Sequence, residues 1–277
     1  MNPRLFDLHN DALTFLSPRK FLKYLKASAA NNVTFLASIW TTEMREPMSE
    51  IQVRYPVTPC GVPPLYLKGE FLRWHIEDLW FVTAENIDEL IALRPFSVGL
   101  TWNKNNNLAG GALAGGGLTD FGAVVVKKLD AAGILIDLAH LNKTSFYQVA
   151  EILANQKLFC SHTCFAEVHP HPRNLDRKQI QTIVDSGGII GLTLVGDFLC
   201  GKGRADFEDV YAHIKYFLDN FGEDNLGLGT DFFGTKNLPR GLRNYKDFCK
   251  FRKFLLKKGL SEATINKIFY LNAYKIL

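Results

Sequence analysis

Hydrophobic positions in this chain arrive in short bursts separated by longer stretches of mixed character. The bursts are FDLHND (6–11), VTFLASIW (33–40), FLRWHIED (71–78), FSVGLTWN (96–103), GILIDLAH (133–140), LFCSHT (158–163), GIIGLTLV (188–195) and LGLGTDFF (226–233). Several are almost continuously apolar, the pattern of parallel strands buried on both faces. The intervening segments 121–132, 143–155, 176–186 and 207–221 repeat apolar residues at helical spacing. Asn142 is placed to cap the second of these helices, and Gly133 and Gly187 stand where helices should stop. Eight strand–helix units predict a (β/α)8 TIM barrel forming one domain over residues 1–277. The doubly wound open sheet is the alternative.

A barrel of this type carries its chemistry at the C-terminal ends of its strands, and here each burst turns polar at that end. The first closes on His9 and Asp11, the third on Glu77 and Asp78, the fifth on His140, the sixth on His162 and the eighth on Asp231. Any one of these could be a capping carboxylate or a core histidine. Their recurrence in one register points instead to a shared site. His9 and Asp11 are two residues apart, a spacing that puts both side chains on one side of a strand. Imidazoles and carboxylates together suit zinc or a similar divalent ion. The donors outnumber what one catalytic zinc uses, so a second ion, bridged by a carboxylate and a hydroxide, is expected. Such ions sit about 3.5–4 Å apart and supply a nucleophile at neutral pH.

Composition removes other classes. With 47% hydrophobic and 22% charged residues among 277, the chain is neither disordered nor a membrane protein. No apolar run is long enough to span a bilayer, and no signal-peptide core precedes the first strand, so a cytoplasmic location is expected. The five cysteines, Cys60, Cys160, Cys164, Cys200 and Cys249, are odd in number and scattered, which argues for reduced thiols rather than a disulfide framework. The net charge of +4 reads as spread along the chain, with Lys127-Lys128 and Lys257-Lys258 as solvated helix faces. Neither a nucleic-acid nor a membrane partner is expected.

The motifs DLHNDAL, IEDLWFV, GLTWNKNN, GLTDFG, GILIDLAH, CSHT, HPRNL and GLGTDFFG follow one another in the order found in the membrane (renal) dipeptidases and their bacterial relatives, peptidase family M19. The resemblance is densest from about Ser97 to Leu175 and extends to the terminal LNAYKIL. It implies a binuclear zinc (β/α)8 hydrolase of the metal-dependent amidohydrolase type that cleaves small dipeptides. By the same resemblance His9 and Asp11 bind one metal, Glu77 bridges the pair, and His140 and His162 bind the second. Arg173 would hold the substrate carboxylate, and Asp231 would pass a proton from the bridging water to the leaving amine. Trp102 replaces the histidine that contacts the substrate carbonyl in the mammalian enzymes. Phe233 replaces the second acid of the usual GxDFDG. The stretch 42–68 is short beside many relatives and bears on the pocket roof or on a dimer contact; a homodimer is compatible with the resemblance.

Other candidates carry less. The run LAGGALAGGGLTDFG lacks the GKS or GKT of a phosphate loop and reads as a flexible loop after the fourth strand. His169 and His171, flanked by prolines, read as loop residues rather than ligands. His75 suits packing inside the barrel, and His213 suits a structural helix position. Lys104 is excluded as a carboxylated metal bridge because Glu77 fills that role. Two functional alternatives accompany the dipeptidase: an amidohydrolase acting on another small amide, lactone or cyclic imide, and a non-enzymatic metal-binding relative.

Overall fold

The structure is a computed structural model that describes residues 3–54, 66–67, 70–71 and 73–276. Each apolar burst contains a strand: β1 (Leu5–Asn10), β2 (Val33–Trp40), β3 (Trp74–Glu77), β4 (Ser97–Gly99), β5 (Leu135–Asp137), β6 (Phe159–Thr163), β7 (Ile189–Leu192) and β8 (Leu226–Leu228). Neighbours pair in parallel in chain order, and β8 returns to β1 through Leu228 and Asp7, closing the barrel. The (β/α)8 TIM barrel is thus the observed fold, and the open sheet is excluded. The third burst is shorter than expected, because Glu70–Phe71 pairs antiparallel with Tyr66–Leu67 in a separate hairpin. Much of the stretch 42–68, and Cys60, lie outside the described residues.

The helices lie where the periodicity places them, at Asp120–Ala131, Lys143–Ile152, Arg177–Asp185 and Phe207–Phe221. Asn142 caps its helix by accepting from the Ser145 N–H, and Asp176 and Asp206 close reciprocal capping boxes. Phe6, Leu8, Leu36, Phe159 and Ile189, mostly from early in their strands, form a compact plug with Ala273. This leaves the opposite end of the barrel interior free for polar groups. Cys160 and Cys164 are buried thiols and Cys200 and Cys249 are half-buried, none of the four in a disulfide.

Two features of the fold are not legible along the chain. The register of β1 on β2 slips between Asp7 and Asn10, and that of β6 on β7 slips between Cys160 and Thr163. Both slips fall at candidate ligands, where a bulge re-aims side chains. The charge, secondly, is not evenly spread in space. Segments 12–32 and 232–261, neighbours across the β8–β1 closure, hold thirteen of the 32 Lys and Arg but one of the 28 Asp and Glu.

Candidate metal centre

The polar end of β1 is anchored from below. Asp7, buried at the closure, accepts from the Thr230 N–H (2.7 Å) and hydroxyl (2.6 Å) and from the Tyr245 hydroxyl (2.7 Å). Asn10 donates to Tyr245 and accepts from the Ala12 N–H. These bonds lock the ends of β1 and β8 together. Asp11 lies one residue beyond the strand, at the N-cap position of a short helix, yet its side chain makes no capping bond. Its carboxylate instead approaches His9, with Oδ2 3.4 Å from Nε2. The convergence of this pair therefore comes from the bulge and the turn, not from simple strand alternation.

Glu77, paired across the sheet with Trp40 at the end of β3, occupies the centre. Its Oε1 lies 2.7 Å from His140 Nε2 and 3.9 Å from His162 Nε2, and its Oε2 lies 3.7 Å from His9 Nε2. Two sets, His9–Glu77–His162 and His9–Asp11–Asp231, bring their ligand atoms within 4.8 Å of one another. His140 and Asp231 both sit at positive φ, 67° and 59°. Non-glycine residues hold that conformation only when their surroundings impose it. Here the Asp231 N–H donates to His9 O, and His140 O accepts from the Ala112 N–H. Gly234 completes the fit: a Cβ there would lie 2.1 Å from Asp231 Oδ1 and 2.4 Å from Asp11 Oδ2.

The protonation pattern follows from burial and crowding. Burial opposes charge on His9, but Asp11, Glu77 and Asp231 outweigh it and raise the imidazole to about 10. Burial also pushes Glu77 up, but His140 and His9 prevail and lower it to about 2. His140 falls to about 4 through burial and the nearby Arg173 charge, and His162 falls well below its ordinary value through burial and His9. Burial and the neighbouring Asp11 push Asp231 well above the usual carboxylate range.

This donor set fits a cation. His140 Nδ1 faces Asn103 Oδ1 at 3.0 Å, so a proton on Nδ1 would donate there and free the Nε2 lone pair for a cation. That Nε2 stands 2.9 Å from His162 Nε2, so two imidazoles kept neutral by burial confront each other nitrogen to nitrogen. His9 Nε2 and Asp11 Oδ1 are buried with no hydrogen-bond partner among the described residues. Unpaired buried polar atoms are costly, and a divalent ion among them would satisfy all of these groups together.

The remaining candidates divide. Trp102 lines the cavity of about 280 Å³ above the cluster, with Trp40, Phe15 and Phe198. Its ring is 5.3 Å from Trp40 and 6.0 Å from His140. Arg173 is buried behind that lining: its guanidinium donates to His162 O (3.3 Å) and lies 5.4 Å over the Phe198 ring. Among the described residues no carboxylate lies within 4.0 Å of it, and its Nε has no acceptor. Phe233 is 39% exposed and packs on Tyr24, so its ring is turned toward the barrel flank. Asp78 is turned aside to Thr42 and Asn106. His171 accepts from the Arg173 N–H and stacks on Phe198, and His213 bridges the Phe165 N–H and Leu199 O. Lys104 is exposed. The glycine run is hydrogen-bonded onto the end of β5 through Ala112–His140 and Gly110–Asn142, not loose.

Sequence reasoning missed Asp137 and the company His75 keeps. His75 Nδ1 is 2.9 Å from Ser97 Oγ, and its Nε2 is 3.7 Å from Asp137 Oδ2, beneath His9. Asp137, the first residue of DLAH, also accepts from the Ser161 N–H. Ser161 in turn lies 2.7 Å from His162 Nδ1 and 3.3 Å from His9 Nδ1. Second-layer carboxylates of this kind orient metal-binding imidazoles. Asp7 and Tyr245, which anchor the end of β1, were not singled out in the sequence either.

Comparison with known proteins matches this architecture. A protein in the pqqA 5′ region of Klebsiella pneumoniae, itself uncharacterized, is 30% identical over 193 residues, spanning 65% of this chain and 70% of its own length. The dipeptidase verJ of Clonostachys rogersoniana is 28% identical over 162 residues, 58% of this chain and 41% of its own. A metallo peptidase from Rhodobacter sphaeroides, liganded with a phosphinate mimic of the dipeptide L-Ala-D-Ala, shares the fold at a TM-score of 0.81 and 20% identity, over 100% of this chain and 99% of that one. Residues 83–277 match the model of the membrane dipeptidases. The chain belongs to the membrane dipeptidase family, peptidase family M19.

Proposed function

We propose that this chain is a single-domain, two-metal dipeptidase. The observation that carries the reading is the convergence of His9, Asp11, Glu77, His140 and His162, with unpaired buried donor atoms facing one point. His9 and Asp11 would hold one ion, His140 and His162 the other, with Glu77 between them. Zinc suits the imidazole–carboxylate mixture. When bound, the ions supply a nucleophilic water at neutral pH and polarise the scissile carbonyl.

The protein's own groups do the rest. Asp231, half-buried and crowded by Asp11 and Glu77, which raise its affinity for a proton, is placed to act as the proton carrier. It takes the proton released as water attacks and hands it to the leaving nitrogen. Arg173 is a desolvated cation without a carboxylate partner among the described residues, the complement of a dipeptide C-terminus. Trp102 offers an indole face and one N–H beside the reacting carbonyl. The bonds from Asp7, Ser161 and Asp137 keep these groups from relaxing.

A second reading rests on one observation: Arg173 is screened from the cavity by Phe198. If the ring does not yield, the substrate needs no carboxylate and the chemistry is that of an amidohydrolase on another small amide, lactone or cyclic imide. The two readings separate in one experiment. Metal-loaded protein is assayed against a dipeptide library and the matching C-terminal amides. Hydrolysis of free dipeptides with poor turnover of the amides supports the dipeptidase. Equal turnover supports the amidohydrolase. No turnover with both ions bound leaves a metal-binding protein without activity.

A further inference from the structure

The thirteen cations of segments 12–32 and 232–261 meet one acid, whereas the rest of the chain carries nineteen cations against 27 acids. A chain with a formal charge of +4 is therefore strongly polarised: one sector carries +12 and the remainder −8. Barrel closure assembles the sector. Helix Pro18–Ala30 follows β1, helix Phe248–Lys257 follows β8, and Tyr24 stacks on Tyr245 at 6.2 Å between them.

The two helices present their cations outward at helical spacing. On the first, Phe21, Leu25 and Ser28 are buried, while Arg19, Lys20, Lys23 and Lys26 are exposed and no acid is present. On the second, Phe248, Phe251 and Leu255 are buried, while Lys250, Lys253 and Lys257, with Lys246 just before, are exposed. Within the sector, ion pairs among the described residues are confined to Lys250–Asp247, Arg252–Glu262 and Lys258–Glu208. Elsewhere lysines such as Lys128, Lys143, Lys202 and Lys215 have carboxylate partners. Crowded, unpaired like charges repel, and an opposing anionic surface relieves that repulsion.

We infer that this face docks on an anionic phospholipid surface. Two observations favour lipid over other polyanions. The charges cover the outside of two adjacent helices rather than a groove, so they suit a broad surface. Phe15 and Phe233, 51% and 39% exposed, flank the face: Phe15, at the rim where the cavity also begins, stands two residues before the N-cap position Ser17 of the first helix, and Phe233 packs against Tyr24. Exposed rings beside a basic face are the composition of an interfacial contact. A linear reading hides the face, because its halves lie at opposite ends of the chain.

The test is co-sedimentation of the whole protein with vesicles of phosphatidylcholine, with and without phosphatidylglycerol. Partition is expected only with the anionic lipid, and added salt should weaken it. The variant Lys20→Gln/Lys23→Gln/Lys26→Gln/Lys253→Gln should lower the partition coefficient by about 10³-fold. Lys128→Gln/Lys143→Gln/Lys202→Gln/Lys215→Gln, equal in charge removed, should leave it nearly unchanged, and both variants should keep the basal hydrolytic activity. Equal losses in the two variants would overturn a localised face. Retention on heparin or duplex DNA without vesicle partition would overturn lipid as the partner, and binding to none of these would overturn the surface itself.

Discussion

Replacing Arg173 by methionine should act in opposite directions on the free protein and on catalysis. The side chain is 4% exposed, and among the described residues its Nε has no acceptor and its guanidinium donates to His162 O at 3.3 Å. Burial lowers its pKa, with Glu77 and Asp231 too distant to form a contact ion pair. An uncompensated buried charge costs stability, so an apolar residue of similar length should leave the metal-free protein as stable or more stable, by up to about 2 kcal/mol. A bound dipeptide reverses the balance. Losing one partner of a desolvated charge pair costs about 2–5 kcal/mol, or about 30- to 5,000-fold in kcat/KM. The assay is kcat/KM for one dipeptide and its C-terminal amide on both proteins, with urea unfolding alongside. The loss should fall on the free acid and almost vanish on the amide. A loss equal for both substrates, or a variant clearly less stable than wild type, would refute the reasoning.

Asp231→Asn keeps the shape and removes the proton acceptor; kcat should fall about 10²–10⁴-fold while elemental analysis still finds both ions. His140→Ala or His162→Ala should each preferentially lose one ion by the same analysis, and full occupancy in both would remove them as ligands. Gly234→Ala forces a Cβ to within 2.4 Å of carboxylate oxygens on Asp11 and Asp231, so metal affinity measured by chelator competition should drop, with no such effect from Gly203→Ala, which has open space around it. His213 tests stability. Burial holds its folded pKa at about 4 against an ordinary 6.5, so the unfolded chain binds the proton first. Its contribution is present above pH 6.5 and lost as pH falls toward about 4, roughly 3 kcal/mol in all. His213→Gln should flatten that part of the stability–pH curve, measured by urea midpoints; an unchanged slope would mean the imidazole is not buried neutral.

Why the strands were readable and the bulges were not has a physical answer. A strand buried on both faces must be apolar almost throughout, so its sequence announces it, and a helix must repeat every three to four residues. Both signals depend only on near neighbours in the chain. The polar ends of the bursts were legible for the same reason, since an apolar run cannot stop in His, Asp or Glu without placing that group somewhere. What those groups meet is decided across the barrel. Asp7 finds Thr230 and Tyr245 more than 220 positions away, and His75 finds Asp137 on a strand two removed. The slips of β1 and β6 also depend on the neighbouring strand, which local periodicity does not see. The charge pattern makes the same point in reverse. Read along the chain, the basic residues of 12–32 and 232–261 are two ordinary helix faces. Once β8 pairs with β1 they become one surface, and the net charge of the chain ceases to describe what a partner would meet. Closure of the sheet therefore does two things at once: it brings His9 to Asp231, and it brings one basic helix beside the other.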